Sequence, residues 1–410
     1  MNPLALVYDN SMKYIVVILD GASGWPLEEL GNRTTLEAAV TPVLDMMARE
    51  GKVGLAATVP EGLEPSSSAA CTSILGFDPD EHFVGRAAIE ALAMGIELAP
   101  DEVALRVNTL TIEDGLMRSY AGGHISTEES TTIVKRLAQH LDDETFTLYP
   151  GVAYRHILVV KGYPELLETM YVGPHDISDQ AVADHVVQGP AAQLLADYTA
   201  RAHELLLTDP TNQARIAAGE LPITDLWPFW PGVAPQNAPC FTETYGVDAA
   251  LTSGVDLLFG LGNLFGVSPL KVEGVTDGSD TDYVAQAESA LQALDTYDLV
   301  VIHVESPDEM GHAGDIEGKI EAIESIDKYI MSRVVTYART HGDVRVLAMP
   351  DHPTPIAIKT HVREAVPFIL WGAGVDADST QRYSESAATD AGWVLDPGHQ
   401  VMAHLIGSDS

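Results

Sequence analysis

Tyr14-Ile15-Val16-Val17-Ile18-Leu19-Asp20-Gly21 is a continuous apolar run closed by a carboxylate and a glycine. A run without polar alternation suits a strand buried on both faces, as in a parallel sheet, rather than a strand with one wet face. The same grammar returns far downstream. Residues 298–304 (Asp-Leu-Val-Val-Ile-His-Val) read as a second buried strand, residues 344–349 as a third running into Asp351-His352, and residues 366–370 as a fourth closed by Gly372 and Gly374. Between these strands, residues 35–50 read as a helix, 53–59 as a strand, and 67–75 as a helix opening after the turn at Pro65. Ile316, Ile320, Ile323, Ile330 and Val334 recur at helical spacing and mark a long amphipathic helix. Strand–helix alternation at both ends predicts an α/β protein with one doubly wound core.

The texture changes in the middle. Strand-like pieces at 107–112, 116–120 and 154–160 alternate with helices near 128–140 and 191–207, and the Pro-rich Trp227-Pro228-Phe229-Trp230-Pro231 reads as loop. The expected organisation is a core at 13–105 and 272–410, with a smaller α/β domain inserted at 106–271.

Composition bounds the function. Hydrophobic residues make up 46% and charged residues 20%, which is globular rather than disordered. Lys and Arg total 22 against 60 Asp and Glu, a formal net charge of -38. Such a surface repels nucleic acid and anionic membranes, so neither is an expected partner. A phosphorylated substrate needs bound cations or placed arginines to reverse that field locally. The two cysteines, Cys71 and Cys240, form no zinc-type pairing and suit a reducing cytoplasm. Residues 1–12 carry Asp9 and lack the basic start and apolar run of a signal peptide, so they are expected to be a loose extension. No stretch approaches the length of a transmembrane helix.

Chemistry-bearing residues cluster where the strands end. In open α/β sheets, ligands bind outside the carboxyl ends of the strands. Asp20 follows the first strand, Asp308 and His312 lie just beyond the second, and Asp351-His352 follow the third. Each alone is an ordinary turn or cap residue. Together they are a set of carboxylates and imidazoles of the kind that holds Mn²⁺ or Zn²⁺, whereas Mg²⁺ favours oxygen ligands. Ser66-Ser67-Ser68 place hydroxyls at an expected helix N-terminus, which favours phosphate. One of the three is expected to be the N-cap, leaving another for chemistry.

Several stretches carry a family resemblance. They are Val17-Ile18-Leu19-Asp20-Gly21, Ser73-Ile74-Leu75-Gly76-Phe77-Asp78-Pro79, Tyr154-Arg155-His156 and Gly173-Pro174-His175-Asp176-Ile177-Ser178. Further along come His303-Val304-Glu305-Ser306-Pro307-Asp308-Glu309-Met310-Gly311-His312, Asp351-His352-Pro353-Thr354-Pro355 and Thr360-His361. On these the chain resembles the archaeal-type, 2,3-bisphosphoglycerate-independent phosphoglycerate mutases of the alkaline phosphatase superfamily. The resemblance implies two divalent metal ions, Mn²⁺ first, with Zn²⁺, Co²⁺ or Mg²⁺ as other occupants. It implies one metal held by Asp308, His312 and His361, and the other by Asp20, Ser67, Asp351 and His352. It further implies Ser67 as nucleophile, a phosphoserine intermediate in the interconversion of 3- and 2-phosphoglycerate, and an inserted domain that caps the substrate.

The chain also departs from the family pattern. The usual Gly-Ser-Asp-Val-Ala-Asn segment is here Ser66-Ser67-Ser68-Ala69-Ala70-Cys71, and His124 stands where the family carries arginine. His124, Arg155, Asp176, Arg215 and Lys319 are the expected substrate-binding residues. The departures keep a second function in view, a metal-dependent phosphatase or phosphotransferase acting on another small phosphorylated metabolite.

Overall fold

The computed structural model describes residues 12–407. The extension expected over residues 1–12 therefore lies, except for its last residue, outside the described residues. The chain divides into two compact units, Val84–Gln236 and the residues on either side of it. No helix among the described residues is long and apolar enough to cross a membrane.

The first unit is built on one sheet. Its strands are β1 (Lys13–Leu19), β2 (Lys52–Ala56), β8 (Ala249–Thr252), β9 (Ser268–Pro269), β10 (Leu299–Val304), β11 (Val344–Met349), β12 (Val366–Gly372) and β13 (Val394–Leu395). They lie in the order β13-β2-β12-β11-β1-β10-β8-β9. β1 pairs in parallel with both β10 and β11, while β12 runs antiparallel to its neighbours β11 and β2. Ile15 to Leu19 are wholly buried, because helices cover both faces of these central strands. That is why the run is continuously apolar; each such side chain contributes about 1.5–3 kcal/mol on leaving water. Register then aligns the strand ends. Leu19 is level with Val304 and Ile18 with Met349, so three neighbouring strands end at one sheet edge.

The helix expected over 35–50 is two, Thr35–Ala38 and Pro42–Glu50. Pro42 has no N–H to continue the first helix and starts the second instead. The amphipathic helix runs as Ile316–Ser325, a π-helical turn Ile326–Met331, and Ser332–His341.

The second unit has an antiparallel sheet of β3 (Glu102–Glu113), β4 (Leu116–Ser119), β5 (Phe146–Tyr149), β6 (Arg155–Lys161) and β7 (Asp225–Val233). On one face Val103, Leu105, Val107, Leu158 and Val160 pack under helices Thr127–Leu141 and Ala192–Leu206. On the other, Ala104, Ile157 and Val159 meet Ala87 and Ala91 of helix Arg86–Ala93.

Two expectations need correction. The segment 227–231 is strand, not loop; among the described residues β7 pairs only with β3, across a register shift between Leu105 and Arg106. An edge strand with a bulge is where a sheet accepts proline, since the missing N–H faces no partner. The unit boundaries also move from 106 and 271 to 84 and 236. Helix Arg86–Ala93 packs on the second sheet, whereas β8 and β9 extend the first beside β10.

Candidate metal centre

The common edge of β1, β10 and β11 carries the site. Asp20 directly follows β1, and its N–H donates to the Val304 carbonyl at 3.0 Å. Helix Ser306–Ala313, one residue beyond β10, carries Asp308 and His312 one turn apart. Asp351 and His352 follow β11, and His361 comes from the loop that leads to β12. Gly21 makes the close approach possible. Its φ is +60°, and a Cβ there would lie 2.8 Å from the Asp308 Cα.

Two groups form. In the first, His312 Nε2 lies 3.1 Å from Asp308 Oδ2, His361 Nε2 lies 3.5 Å from Asp308 Oδ1, and the two imidazole Nε2 atoms are 2.9 Å apart. His312 Nδ1 is 2.9 Å from the Lys359 carbonyl and His361 Nδ1 is 3.3 Å from that of Pro65. A carbonyl only accepts, so each Nδ1 carries a proton, and in the neutral ring each Nε2 is the atom left to offer a lone pair to a cation. Two imidazole Nε2 atoms facing each other at that distance beside a carboxylate call for positive charge between them, a bound cation or, without one, a proton. Burial works against charge on His312, yet Asp308 overrides it and lifts the imidazole to about 9, so that without a cation its Nε2 carries the proton that a metal ion would displace. Burial alone would raise Asp308; its hydrogen bonds from His312 and His361 instead hold it well below the usual carboxylate range.

In the second group, His352 Nε2 lies 3.2 Å from Asp351 Oδ2, 3.7 Å from Asp20 Oδ1 and 3.1 Å from Ser67 Oγ. Asp351 Oδ1 is taken by the Gly21 and His352 N–H groups, at 3.1 and 2.8 Å. Asp20 Oδ1 is buried with no hydrogen-bond partner among the described residues. Burial first, then the Asp351 and Asp308 charges, push the Asp20 carboxyl well up. Burial holds His352 neutral, down to about 4. Orphaned carboxylate oxygen, crowded carboxylates and neutral imidazoles are a donor set that fits a divalent cation. Each trio, Asp308–His312–His361 and Asp20–Asp351–His352, has its ligand atoms within 4.8 Å of one another.

The serines divide their roles. Ser66 is the N-cap of helix Ser67–Ile74, its Oγ accepting from the Ala69 N–H at 3.4 Å. Ser68 is buried, while Ser67 stands half-buried at the first helical position with its hydroxyl toward His352.

All seven residues expected from resemblance to hold metal are thus brought to one strand edge. The family whose model matches residues 48–212 is the 2,3-bisphosphoglycerate-independent phosphoglycerate mutases. A protein of that name from Methanothrix thermoacetophila is 42% identical over 396 residues, covering 96% of this chain and all of the relative. The chain belongs to the 2,3-bisphosphoglycerate-independent phosphoglycerate mutase family. A second mutase of that name, from Methanosarcina barkeri, is 41% identical over 92% of this chain and 95% of its own. Among solved structures, a Pyrococcus horikoshii protein superposes with TM-score 0.79 at 28% identity, over 97% of this chain and 98% of that one. The cofactor-independent phosphoglycerate mutase of Thermoplasma acidophilum shares the fold, with TM-score 0.64 at 23% identity, over 97% of this chain and 100% of that one.

The expected substrate-binding residues fall in both units, Lys319 in the first and His124, Arg155, Asp176 and Arg215 in the second. Lys319 is fully buried in the first unit, its Nζ donating to the carbonyls of Ser23 at 3.3 Å and Thr354 at 2.7 Å. Burial lowers it to about 8. It ties the loop after β1 to the loop after β11. Arg215 is buried in the second unit, where Glu129, Glu220 and the carbonyls of Leu221 and Gly122 take up its guanidinium. His124 sits exposed in a turn at φ 57°, Asp176 is exposed, and Arg155 is half-buried at the start of β6.

Sequence reasoning missed two residues at the first unit's edge. His303 Nε2 lies 2.8 Å from Asp20 Oδ2, and Glu305 Oε2 is buried without a hydrogen bond from the described residues. Asp20, His303 and Glu305 form a third close group. A histidine inside an apolar strand was the available signal, because burying an imidazole is costly unless it is partnered.

Proposed function

We propose that this chain interconverts 3-phosphoglycerate and 2-phosphoglycerate through a phosphoserine at Ser67. The observation that carries the reading is the hydroxyl of Ser67, 3.1 Å from His352 Nε2, beside two ligand groups in a chain 42% identical to a named mutase. Asp308, His312 and His361 would hold one divalent cation, and Asp20, Asp351, His352 and Ser67 the other. Mn²⁺ is the expected ion, since the donors mix oxygen and nitrogen. When bound, the two cations would neutralise phosphoryl oxygens and lower the pKa of the serine hydroxyl.

The chain's own residues account for the rest. The half-buried Ser67 Oγ gives up its proton and bonds phosphorus as the ester O–P bond breaks, and the freed glycerate oxygen takes up a proton in its place, so that none is gained or lost overall. The helix that begins at Ser67 offers N–H groups at its N-terminus, which would favour a phosphoryl group bound there. Glycerate reorients, its other hydroxyl takes the phosphoryl group back, and Ser67 is restored. Water must be kept out while phosphoserine exists, or the product is free phosphate.

A ³¹P NMR time course with Mn²⁺-loaded protein and 3-phosphoglycerate tests this. The expected result is 2-phosphoglycerate without added bisphosphoglycerate, abolished in Ser67→Ala. Free phosphate with no isomer would overturn it in favour of a phosphatase.

A further inference from the structure

Thr354 follows the Asp351-His352 pair by two residues and is wholly buried. Its backbone is held on both sides. The N–H donates to the Ser23 carbonyl at 3.0 Å, and the Thr354 carbonyl accepts from Lys319 Nζ at 2.7 Å. Two glycines make room for the side chain. A Cβ at Gly21 would lie 2.6 Å from Thr354 Oγ1, and one at Gly311 would lie 2.8 Å from its Cγ2. Branching at Cβ already restricts the rotamer of a threonine, and this enclosure restricts it further.

The hydroxyl so enclosed stands between the two metal-binding groups. It donates to Asp308 Oδ1 of the first group and lies 3.3 Å from His352 Nδ1 of the second. A hydroxyl has one proton and a carboxylate only accepts, so the Thr354 proton goes to Asp308. Toward His352 the same oxygen can only accept. Nδ1 of His352 therefore carries a proton, which in the neutral ring leaves Nε2, 3.1 Å from Ser67 Oγ, as the lone-pair atom. Other supports serve one group each. The Lys359 and Pro65 carbonyls face the imidazoles of the first, and His303 faces Asp20 of the second. Thr354 touches one residue of each.

We infer that Thr354 is a positioning residue shared by the two cation sites, setting Asp308 in one and the His352 tautomer in the other through a single hydroxyl. A group that orients a metal-holding side chain from behind contributes roughly 10–100-fold to metal affinity. Here one such group acts on two residues, and hydrogen bonds in a chain polarise one another. Its removal weakens both sites together, whereas loss of a support that touches one residue weakens one. Lys319 takes part from behind, since it holds the Thr354 carbonyl. The inference rests on the proposed two-cation reading and adds the residue that links its halves.

Mn²⁺ titration of the full chain, first stripped of metal by a chelator and with the free ion read by EPR, tests this role apart from turnover. Wild type is expected to take up two ions. Thr354→Val keeps the side-chain shape and removes the hydroxyl, so both dissociation constants should rise on the order of 10–100-fold. Thr354→Ser keeps the hydroxyl and loses a methyl group, and should stay within about threefold of wild type at both sites. Circular dichroism confirms the fold, and Thr354→Ala takes the place of the valine variant if that one does not fold. Wild-type affinities without the hydroxyl, loss at one site alone, or an equal loss in Thr354→Ser would each overturn the shared role. The readings fail separately. Two ions bound by wild type and unchanged affinities in Thr354→Val remove the role of Thr354 and leave the two-cation mutase. Joint weakening in Thr354→Val, with free phosphate in place of isomer from wild type, removes the mutase and keeps Thr354. A wild type that binds fewer than two ions removes the two-cation reading and the shared role together.

Discussion

Nε2 of His303 lies 2.8 Å from Oδ2 of Asp20, with neither side chain exposed. On its far side the His303 Nδ1 meets Ser253 Oγ at 3.0 Å. The imidazole therefore fixes one carboxylate oxygen of Asp20 and leaves the other, Oδ1, without a hydrogen-bond partner among the described residues, near His352. Groups that orient a ligand from behind usually matter to metal affinity by roughly 10–100-fold when removed. His303→Gln should lower Mn²⁺ affinity by that order while Ser67 and the six other ligands remain. Mn²⁺ titration followed by EPR checks it; wild-type affinity in the variant would show the contact to be packing alone.

Metal removal should also be felt as stability. Asp20, Asp308 and Asp351 are buried side by side, and burial raises the neighbouring Glu305 carboxyl well above its ordinary range. A cation that binds only the folded chain stabilises it by about 2.7 kcal/mol at a hundred times its dissociation constant. Thermal unfolding in chelator and in excess Mn²⁺ should therefore differ by several degrees, the metal-loaded sample melting later. Equal midpoints would count against a preformed cation site.

Much of the metal centre is legible in the amino-acid sequence, for a physical reason. Strands buried on both faces must be apolar throughout, so Asp20 and the Asp351-His352 pair stand out as anomalies at the ends of β1 and β11. Other features are hidden for equally physical reasons. His303 reads as one polar residue in a strand until Asp20, 283 positions away, is placed beside it. β7 reads as loop because its prolines break propensity, and only pairing with β3 at a sheet edge allows them. His361 lies in a loop with no periodicity, and family resemblance alone singles it out. Arg106 is a charge in a buried strand, which sequence patterning cannot distinguish from a surface position on an alternating one.

Arg215 separates structural from substrate roles. Its guanidinium meets Glu129 Oε2 at 3.0 Å, Glu220 Oε2 at 3.1 Å and the Leu221 and Gly122 carbonyls at 3.1 Å each, with 4% of its side chain exposed. Arg215→Met should cost about 3 kcal/mol, since it strips several charge-assisted hydrogen bonds from a buried position. Denaturant unfolding measures the loss. KM for phosphoglycerate in the folded variant should stay near wild type; a large rise in KM at unchanged stability would restore Arg215 to the substrate site.

Asp327 gives a pH test away from the metal centre. It lies in the π-helical turn and accepts from the N–H groups of Val43 at 3.2 Å and Leu44 at 2.8 Å. Thr41, the N-cap of helix Pro42–Glu50, makes no side-chain cap, so Asp327 does that task from another segment. Asp327→Ala should therefore cost about 1–2 kcal/mol, as lost caps do. Burial raises the Asp327 carboxyl from its ordinary 3.8 to about 6. A raised folded pKa means a stabilising contribution that is full below the unfolded value and lost as pH rises through the folded one. Between pH 3.8 and about 6, wild type should lose stability relative to Asp327→Asn, which does not titrate, and the difference should level off above that. Urea unfolding of both proteins at several pH values measures it. A difference that is flat with pH, or that grows in favour of wild type, would show that the two helix N–H groups outweigh burial at this carboxylate.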